Sequence, residues 1–382
     1  MAIFGKSNNT EVIGLDIGSH AIKAVQLEHE REGLAVKKAG SRPTPPEAVK
    51  AGVIVEPAAV AAEVSALLDA LEVEATAACV ACAGPTVVVR QLQLPTVSER
   101  QLRQSLQWEA RNYISFPVEE STIEFQVLAR NGAQMEVMMV AAPRELVEGQ
   151  LETLSLAGLE AVAVEIQPFS AIRALVEWSA DGALDEETVA LMGLGAAYTD
   201  INIVRGRSFV LTRMIPIAGD SMTEAIASAL SMEKPKAEAL KETAMQVVSS
   251  EEERATLDPF AQQASRAVEP LLDELIREVR RSLAYYDYQQ QAPAQQAATS
   301  GVNRIIISGG TSKMAGLAKY LQSQLGVPVE MAELFGGSRL PAPGLSQEYL
   351  DEHAPGLVVA TGLALREILL ANKSLAKVGV PA

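Results

Sequence analysis

The chain is short of nearly everything that signals covalent or metal-centred chemistry. Its 382 residues include two cysteines and three histidines. Two thiols cannot build a disulfide framework or a four-thiolate zinc site. They stand as Cys79-Val80-Ala81-Cys82 in an apolar run that ends at Gly84-Pro85. A redox pair of that spacing needs its first thiol at a helix N-terminus, so small core thiols on a buried strand are the better reading. His20, His29 and His353 have no partner pattern for a triad or a metal. Basic charge is scarce as well: 32 Lys and Arg against 48 Asp and Glu leave a net charge of −16, which argues against general affinity for nucleic acid or anionic lipid. Hydrophobic residues reach 48%, but they are spread through periodic segments, and no uninterrupted apolar run approaches a membrane span. Met1 to Ser7 shows no basic n-region followed by an apolar h-region, so no signal peptide is expected and the expected address is the cytoplasm.

What is present begins with Val12-Ile-Gly-Leu-Asp16-Ile-Gly18-Ser19-His-Ala-Ile-Lys23-Ala-Val25, two apolar strands joined by an acidic Gly-Ser turn. Gly18 lets backbone approach an anion, successive N–H groups in such a turn form a nest, and Ser19 adds a hydroxyl. Asp16 belongs in such a place if a divalent cation, held through water, stands between carboxylate and phosphate. Lys23 would neutralise phosphate charge. Taken alone, the same residues fit a tight turn with a solvated Asp.

The length predicts two or more domains. Strands are expected at about 12–18, 21–28 and 34–40, then a Pro-rich loop Ser41–Pro46, a helix at about 57–71 and the Cys strand. Beyond Gly84-Pro85, a strand at 87–92 precedes a helix whose Ser98 and Gln101 form a capping box. Asn131-Gly132 predicts a hairpin between strands at about 121–130 and 134–141. A buried strand, 162–166, then leads through Gln167 to a helix opened by Pro168. At Thr188 the opening pattern recurs: a strand runs into Gly193-Leu194-Gly195, and alternating strands follow around Arg205-Gly206-Arg207. A dinucleotide fingerprint does not fit, since Tyr198 stands where a third Gly belongs and strands follow instead of a helix. Helices are expected over 219–291, including a long one after Pro270 that carries Glu278, Arg280 and Arg281. The strand Arg304–Ser308 breaks into Gly309-Gly310-Thr311-Ser312, where bare backbone can receive a flat ring, with Gly316 beyond. In a final helix, Gly362 flanked by small residues predicts close helix approach.

In this order the elements resemble the actin-like ATPase superfamily of actin, Hsp70, sugar kinases and FtsA. The resemblance implies an α/β fold of two lobes around a nucleotide cleft, with ATP and Mg²⁺ as ligands. It makes Asp16 the metal-binding residue, and gives nucleotide contacts to Gly18, Ser19, Lys23, Gly195, Gly309, Gly310, Thr311 and Ser312. Arg280 and Arg281 fall on the helix that lines the family's adenosine site, and Gln167 matches the glutamine that orients the attacking water. Gly193 departs from the family, which places an Asp there. Losing that carboxylate should harm hydrolysis more than binding.

The unit at 85–158 decides the branch. Leu94-Pro95, Gln101-Leu102, Trp108 to Pro117, Val140 to Val147 and Ala157-Gly158-Leu159 resemble the PilM family of type IV pilus assembly proteins, an FtsA-like branch with a small 1C subdomain at this point. The implied division is subdomain 1A at 1–84 and 159–187, 1C at 85–158, a second lobe at 188–355 and a returning C-terminal helix at 356–382. The implied role is a cytoplasmic ATP-binding component of the pilus assembly platform. Its membrane partner is the N-terminal cytoplasmic peptide of PilN, so contact with the inner membrane is indirect, and the pilus motor ATPases are a further partner. The strand at 87–92 and the helix at 98–114 are candidates for the peptide groove. Two other readings use the same fold. An FtsA-like tethering filament needs a terminal amphipathic helix, for which Ser374 to Ala382 is short and weak, and a small-molecule kinase needs a substrate carboxylate that no insertion here supplies.

Overall fold

The computed structural model of the chain describes residues 12–30, 33–179, 181–289, 301–336 and 339–378. The N-terminal segment read for a leader and residues 290–300 lie outside these residues. The chain divides into two compact units. One comprises 1–26, 40–167 and 366–382, the other 27–39 and 168–365.

The opening hairpin forms as expected from β1 (Val12–Ile17) and β2 (Ala21–Glu30), followed by β3 (Gly33–Pro43). A short ribbon of β4 (Val49–Lys50) and β5 (Val53–Ile54) leads to α1 (Pro57–Ala70), which starts on its proline. Next comes β6 (Ala77–Cys82), buried at every position. Then follow β7 (Val88–Pro95), α2 (Glu99–Ala110), β8 (Ser121–Asn131), β9 (Gln134–Pro143), α3 (Arg144–Leu156), β10 (Glu160–Ile166) and α4 (Gln167–Ile172). The main sheet is ordered β10-β6-β1-β2-β3. Within it β1, β6 and β10 run parallel, and β2 returns antiparallel beside β1. Ile13, Leu15 and Ile17 alternate into a core shared with Val60, Val64 and Leu67 of α1, which leaves Asp16 on the opposite face.

Between β6 and β10 the chain builds a separate three-stranded sheet, β7-β9-β8, with Leu102, Leu106 and Ala110 of α2 packed on it. Both halves of the Ser98/Gln101 capping box form, and Gly132 turns the hairpin with φ +62°. The thiols behave as core groups. Cys79 and Cys82 lie three residues apart on one strand and so face opposite sides of it. Burial pushes the Cys82 thiol up to about 12.

After α4 a π-helical turn, Arg173–Glu177, continues the helix. The second sheet is built from β11 (Thr188–Leu194), β12 (Thr199–Arg205) and β13 (Ser208–Ile215), with β14 (Arg304–Ser308) and β15 (Val329–Met331) added in parallel on its far side. Its order is β13-β12-β11-β14-β15. The helices are α5 (Gly219–Leu230), α6 (Lys234–Thr243), α7 (Glu251–Ala255), α8 (Pro259–Gln289), α9 (Leu317–Leu325), α10 (Gln347–His353) and α11 (Val358–Val378). Alternate residues of the sheet, among them Met192, Leu194, Ile201 and Ile203, meet Ile226 of α5 and Val268, Leu272 and Leu275 of α8 in one core.

Two expectations change. The long helix begins at Pro259 and runs through Pro270. Glu269 and Pro270 are exposed, as is Arg266 one turn earlier, so the carbonyl that Pro270 leaves without a donor faces water. A helical stretch at Gln347–Ala371 is also long and apolar enough to cross a membrane, although half of that window is buried in the fold. Arg366 and Glu367 break the run in sequence. Gly362 confirms the expected close approach: a Cβ there would overlap the Ser170 carbonyl, and Arg173 donates to the Gly362 carbonyl at 2.8 Å.

Candidate functional site

In the first unit, Asp16 and Lys23 are cross-strand partners in the opening hairpin, and Lys23 Nζ donates to Asp16 Oδ2 at 3.0 Å. The turn closes through the Gly18 N–H, which donates to the Ala21 carbonyl at 3.1 Å. A Cβ at Gly18 would lie 3.0 Å from that same carbonyl and 3.3 Å from Lys23 Nζ, so only glycine keeps the inside of the turn open. Thr44, which the sequence placed in an unremarked loop, is buried beneath the turn. Its hydroxyl donates to the Gly18 carbonyl at 2.7 Å and its N–H to the His20 carbonyl at 2.9 Å. Gln167 begins α4 directly after β10. Because β1, β6 and β10 are parallel, Asp16, the turn and Gln167 share the C-terminal edge of the sheet, where open α/β sheets bind ligands.

The second unit repeats the device. Gly195 N–H donates to the Tyr198 carbonyl at 3.0 Å, closing the β11–β12 hairpin as Gly18 closes the first. Gly193 occupies the place of Asp16 and is paired across the strands with Asp200. A Cβ at Gly193 would overlap Asp200 Oδ2. The space that a side chain at 193 would take is therefore filled by a carboxylate from the neighbouring strand. Asp200 is 4% exposed and accepts from Asn202 Nδ2 at 2.5 Å; Asn202 in turn accepts from the Thr212 hydroxyl.

Two more segments close on this second turn. The N-terminus of α5 docks through Gly219 N–H to the Gly195 carbonyl at 3.1 Å and Asp220 N–H to the Ala196 carbonyl at 2.8 Å. After β14, Gly309 has φ +90°, and a Cβ on it would overlap the Leu194 carbonyl. Gly310 has nothing within 4 Å of where its Cβ would be, so its face is open to a flat ring. Thr311 and Ser312 are buried, and their hydroxyls donate to the Gly195 and Gly309 carbonyls, each at 2.7 Å. They hold the loops together from within. Gly316, at φ +81°, caps α9.

Arg280 donates to the Gln324 carbonyl and Arg281 to Glu278. A buried cation beside these loops is Lys241 of α6. Its buried ammonium donates to the Gly219 carbonyl at 3.1 Å, the Thr223 hydroxyl at 2.8 Å and Glu238 at 2.8 Å. Sequence reading missed this group because a Glu-x-x-Lys pair on a helix usually marks a solvated face.

The family model for type IV pilus assembly protein PilM matches residues 14–368. The chain belongs to the PilM family. A solved PilM–PilN type IV pilus biogenesis complex contains a chain similar to this one at 30% identity and a TM-score of 0.78, over 93% of this chain and 98% of the other. MreB5 of Spiroplasma citri, solved with AMPPNP, superposes over 97% of this chain and all of its own at 12% identity and a TM-score of 0.51, which shows the shared actin-like fold. Cell division protein FtsA of Pseudomonas aeruginosa is 31% identical over 157 residues, 37% of this chain, and the chain spans about a third (35%) of that relative's length. This is a type IV pilus assembly protein with an actin-like ATPase fold.

The residues present suit a magnesium nucleotide. Gly18 preserves an open turn beside a carboxylate and an ammonium, Gly310 leaves a bare face, and Asp200 brings a second carboxylate where Gly193 has none.

Proposed function

We propose that this protein binds ATP with Mg²⁺, turns it over very slowly, and is recruited to the pilus assembly platform by the N-terminal cytoplasmic peptide of PilN. The observation that carries the nucleotide reading is the pair of matched glycine turns, closed at 3.1 Å and 3.0 Å and each followed by a returning strand. In the first unit, Ser19 and the turn amides hold phosphate, Lys23 neutralises it and Asp16 holds the metal through water. In the second, Gly195 receives phosphate, Gly309 and Gly310 receive the base, and buried Lys241, bonded to Gly219, Thr223 and Glu238, braces the start of α5 beside them. Bound Mg²⁺ would neutralise phosphate charge. Gln167, at the start of α4, is the candidate to orient water. With Gly193 in the usual Asp position, and Asp200 held from the side by Asn202, water and metal are less firmly positioned than in a paired-Asp site, and turnover suffers more than binding.

The partner reading is supported by the similarity to the PilM–PilN complex over nearly the whole chain. The acidic charge of this protein fits membrane contact through a protein rather than through lipid, on the cytoplasmic side, with the motor ATPases downstream. Calorimetry with MgATP tests the first reading: wild type binds, and Asp16→Ala loses the Mg²⁺ dependence of binding. Turnover near the enzyme median of about 10 s⁻¹ overturns the slow-hydrolysis reading. Pull-down with a PilN N-terminal peptide tests the partner. Failure of the folded, nucleotide-loaded protein to retain the peptide removes that reading.

A further inference from the structure

We infer that Thr44 is the positioning residue of the first phosphate turn, an inference that rests on the nucleotide reading above. A nest binds an anion only when its N–H groups converge on one side, so its carbonyls must be committed on the other. Here they are. The Ala21 carbonyl accepts from Gly18 N–H, the Gly18 carbonyl from the Thr44 hydroxyl, and the His20 carbonyl from Thr44 N–H. Among the described residues, neither the Ser19 nor the His20 N–H has an intramolecular acceptor. Three oxygens are committed within the protein and two amides remain for a phosphate.

Thr44 meets two of those oxygens from 26 and 24 residues away in sequence, and it is 7% exposed. Its own position is fixed by the prolines around it. Pro43 and Pro45 restrict the backbone on either side, and the Pro45 carbonyl accepts from Ala48 N–H at 3.1 Å. A turn of glycine and serine has little stiffness of its own. Thr44 supplies it from outside, so that the amides are aimed before ligand arrives and the ordering cost on binding is small.

Thr44→Val keeps the shape and the backbone bond to His20 but leaves the Gly18 carbonyl without its hydroxyl donor. We expect MgATP affinity to fall about tenfold, the equivalent of one lost hydrogen bond, while affinity for adenosine stays unchanged and exchange of the bonded Gly18 amide speeds up in the nucleotide-free protein. Thr44→Ser restores both. A Thr44→Val protein that binds MgATP like wild type overturns the inference, as does a Thr44→Ser protein as weak as Thr44→Val. Equal losses for MgATP and adenosine overturn it too, because they mark general loosening. If wild type binds MgATP in no condition, the nucleotide reading itself fails. The exchange measurement needs no ligand and still separates the two failures: unchanged exchange of the Gly18 amide in Thr44→Val rejects the positioning role directly.

Discussion

At residue 193 the absence of a side chain is enforced by a neighbour. Asp200 Oδ2 stands where the Cβ of any other residue would fall, so an Asp at 193 has to displace a buried carboxylate while bringing a second charge beside it. We expect Gly193→Asp to cost about 1–3 kcal/mol by overpacking, with like-charge repulsion added. The double variant Gly193→Asp/Asp200→Gly, with its carboxylate returned to the first strand, should recover most of that loss. Denaturant unfolding of the two single variants and the double closes the cycle. At Cys82 the expectation concerns pH. Its thiol is held near 12 when folded against an ordinary 9.0, so between those values the unfolded chain loses a proton that the native chain keeps. Stability therefore falls as pH rises from about 9 towards 12, and this contribution is flat below pH 9. A Cys82→Ala variant should show a shallower decline over that window, and neither buried thiol should react with an alkylating probe until the protein unfolds.

Elements whose signals are local were legible from the residues alone. The Asp16–Lys23 hairpin, the Ser98 capping box and the Asn131-Gly132 turn each announce themselves within a few positions, and each forms. Ser98→Ala should cost about 1 kcal/mol of stability, read by thermal unfolding. Signals that arise only when distant segments meet were not legible. Thr44 gains meaning from Gly18, and Lys241 from Gly219 and Thr223, 22 and 18 residues away. Arg280 and Arg281 do lie on the long helix α8, but helical periodicity fixes which residues share a face and not which neighbour that face meets. Pro270 misled for a related reason: its cost depends on whether the orphaned carbonyl is wet, and burial is a tertiary property. Gly362 is the opposite case, in which small residues at helical spacing did forecast contact. Gly362→Ala forces a methyl against the Ser170 carbonyl, and we expect a loss of about 1–3 kcal/mol, visible as a lowered unfolding midpoint.

For the whole molecule, the two hairpins impose one pattern on two units of unlike surroundings. One turn is braced by Thr44, the other by Thr311, and both threonines donate to a carbonyl of the turn glycine at 2.7 Å. The inserted subdomain is fastened with comparable care. A Cβ at Gly52 would overlap the Ala83 carbonyl, and one at Gly84 would lie 2.8 Å from the Ala51 carbonyl. The β4–β5 ribbon is thus interlocked with the very residues at which the chain leaves for the insertion, and Ile54 continues the contact to Gly149 of α3. That ribbon is also the continuation of the loop that carries Thr44. For anyone moving the insertion to another actin-like host, the portable cassette is consequently larger than the stretch between its two crossing points. Residues 51–54 form the socket into which it plugs, and a transplant made without them would carry a plug with nothing to receive it.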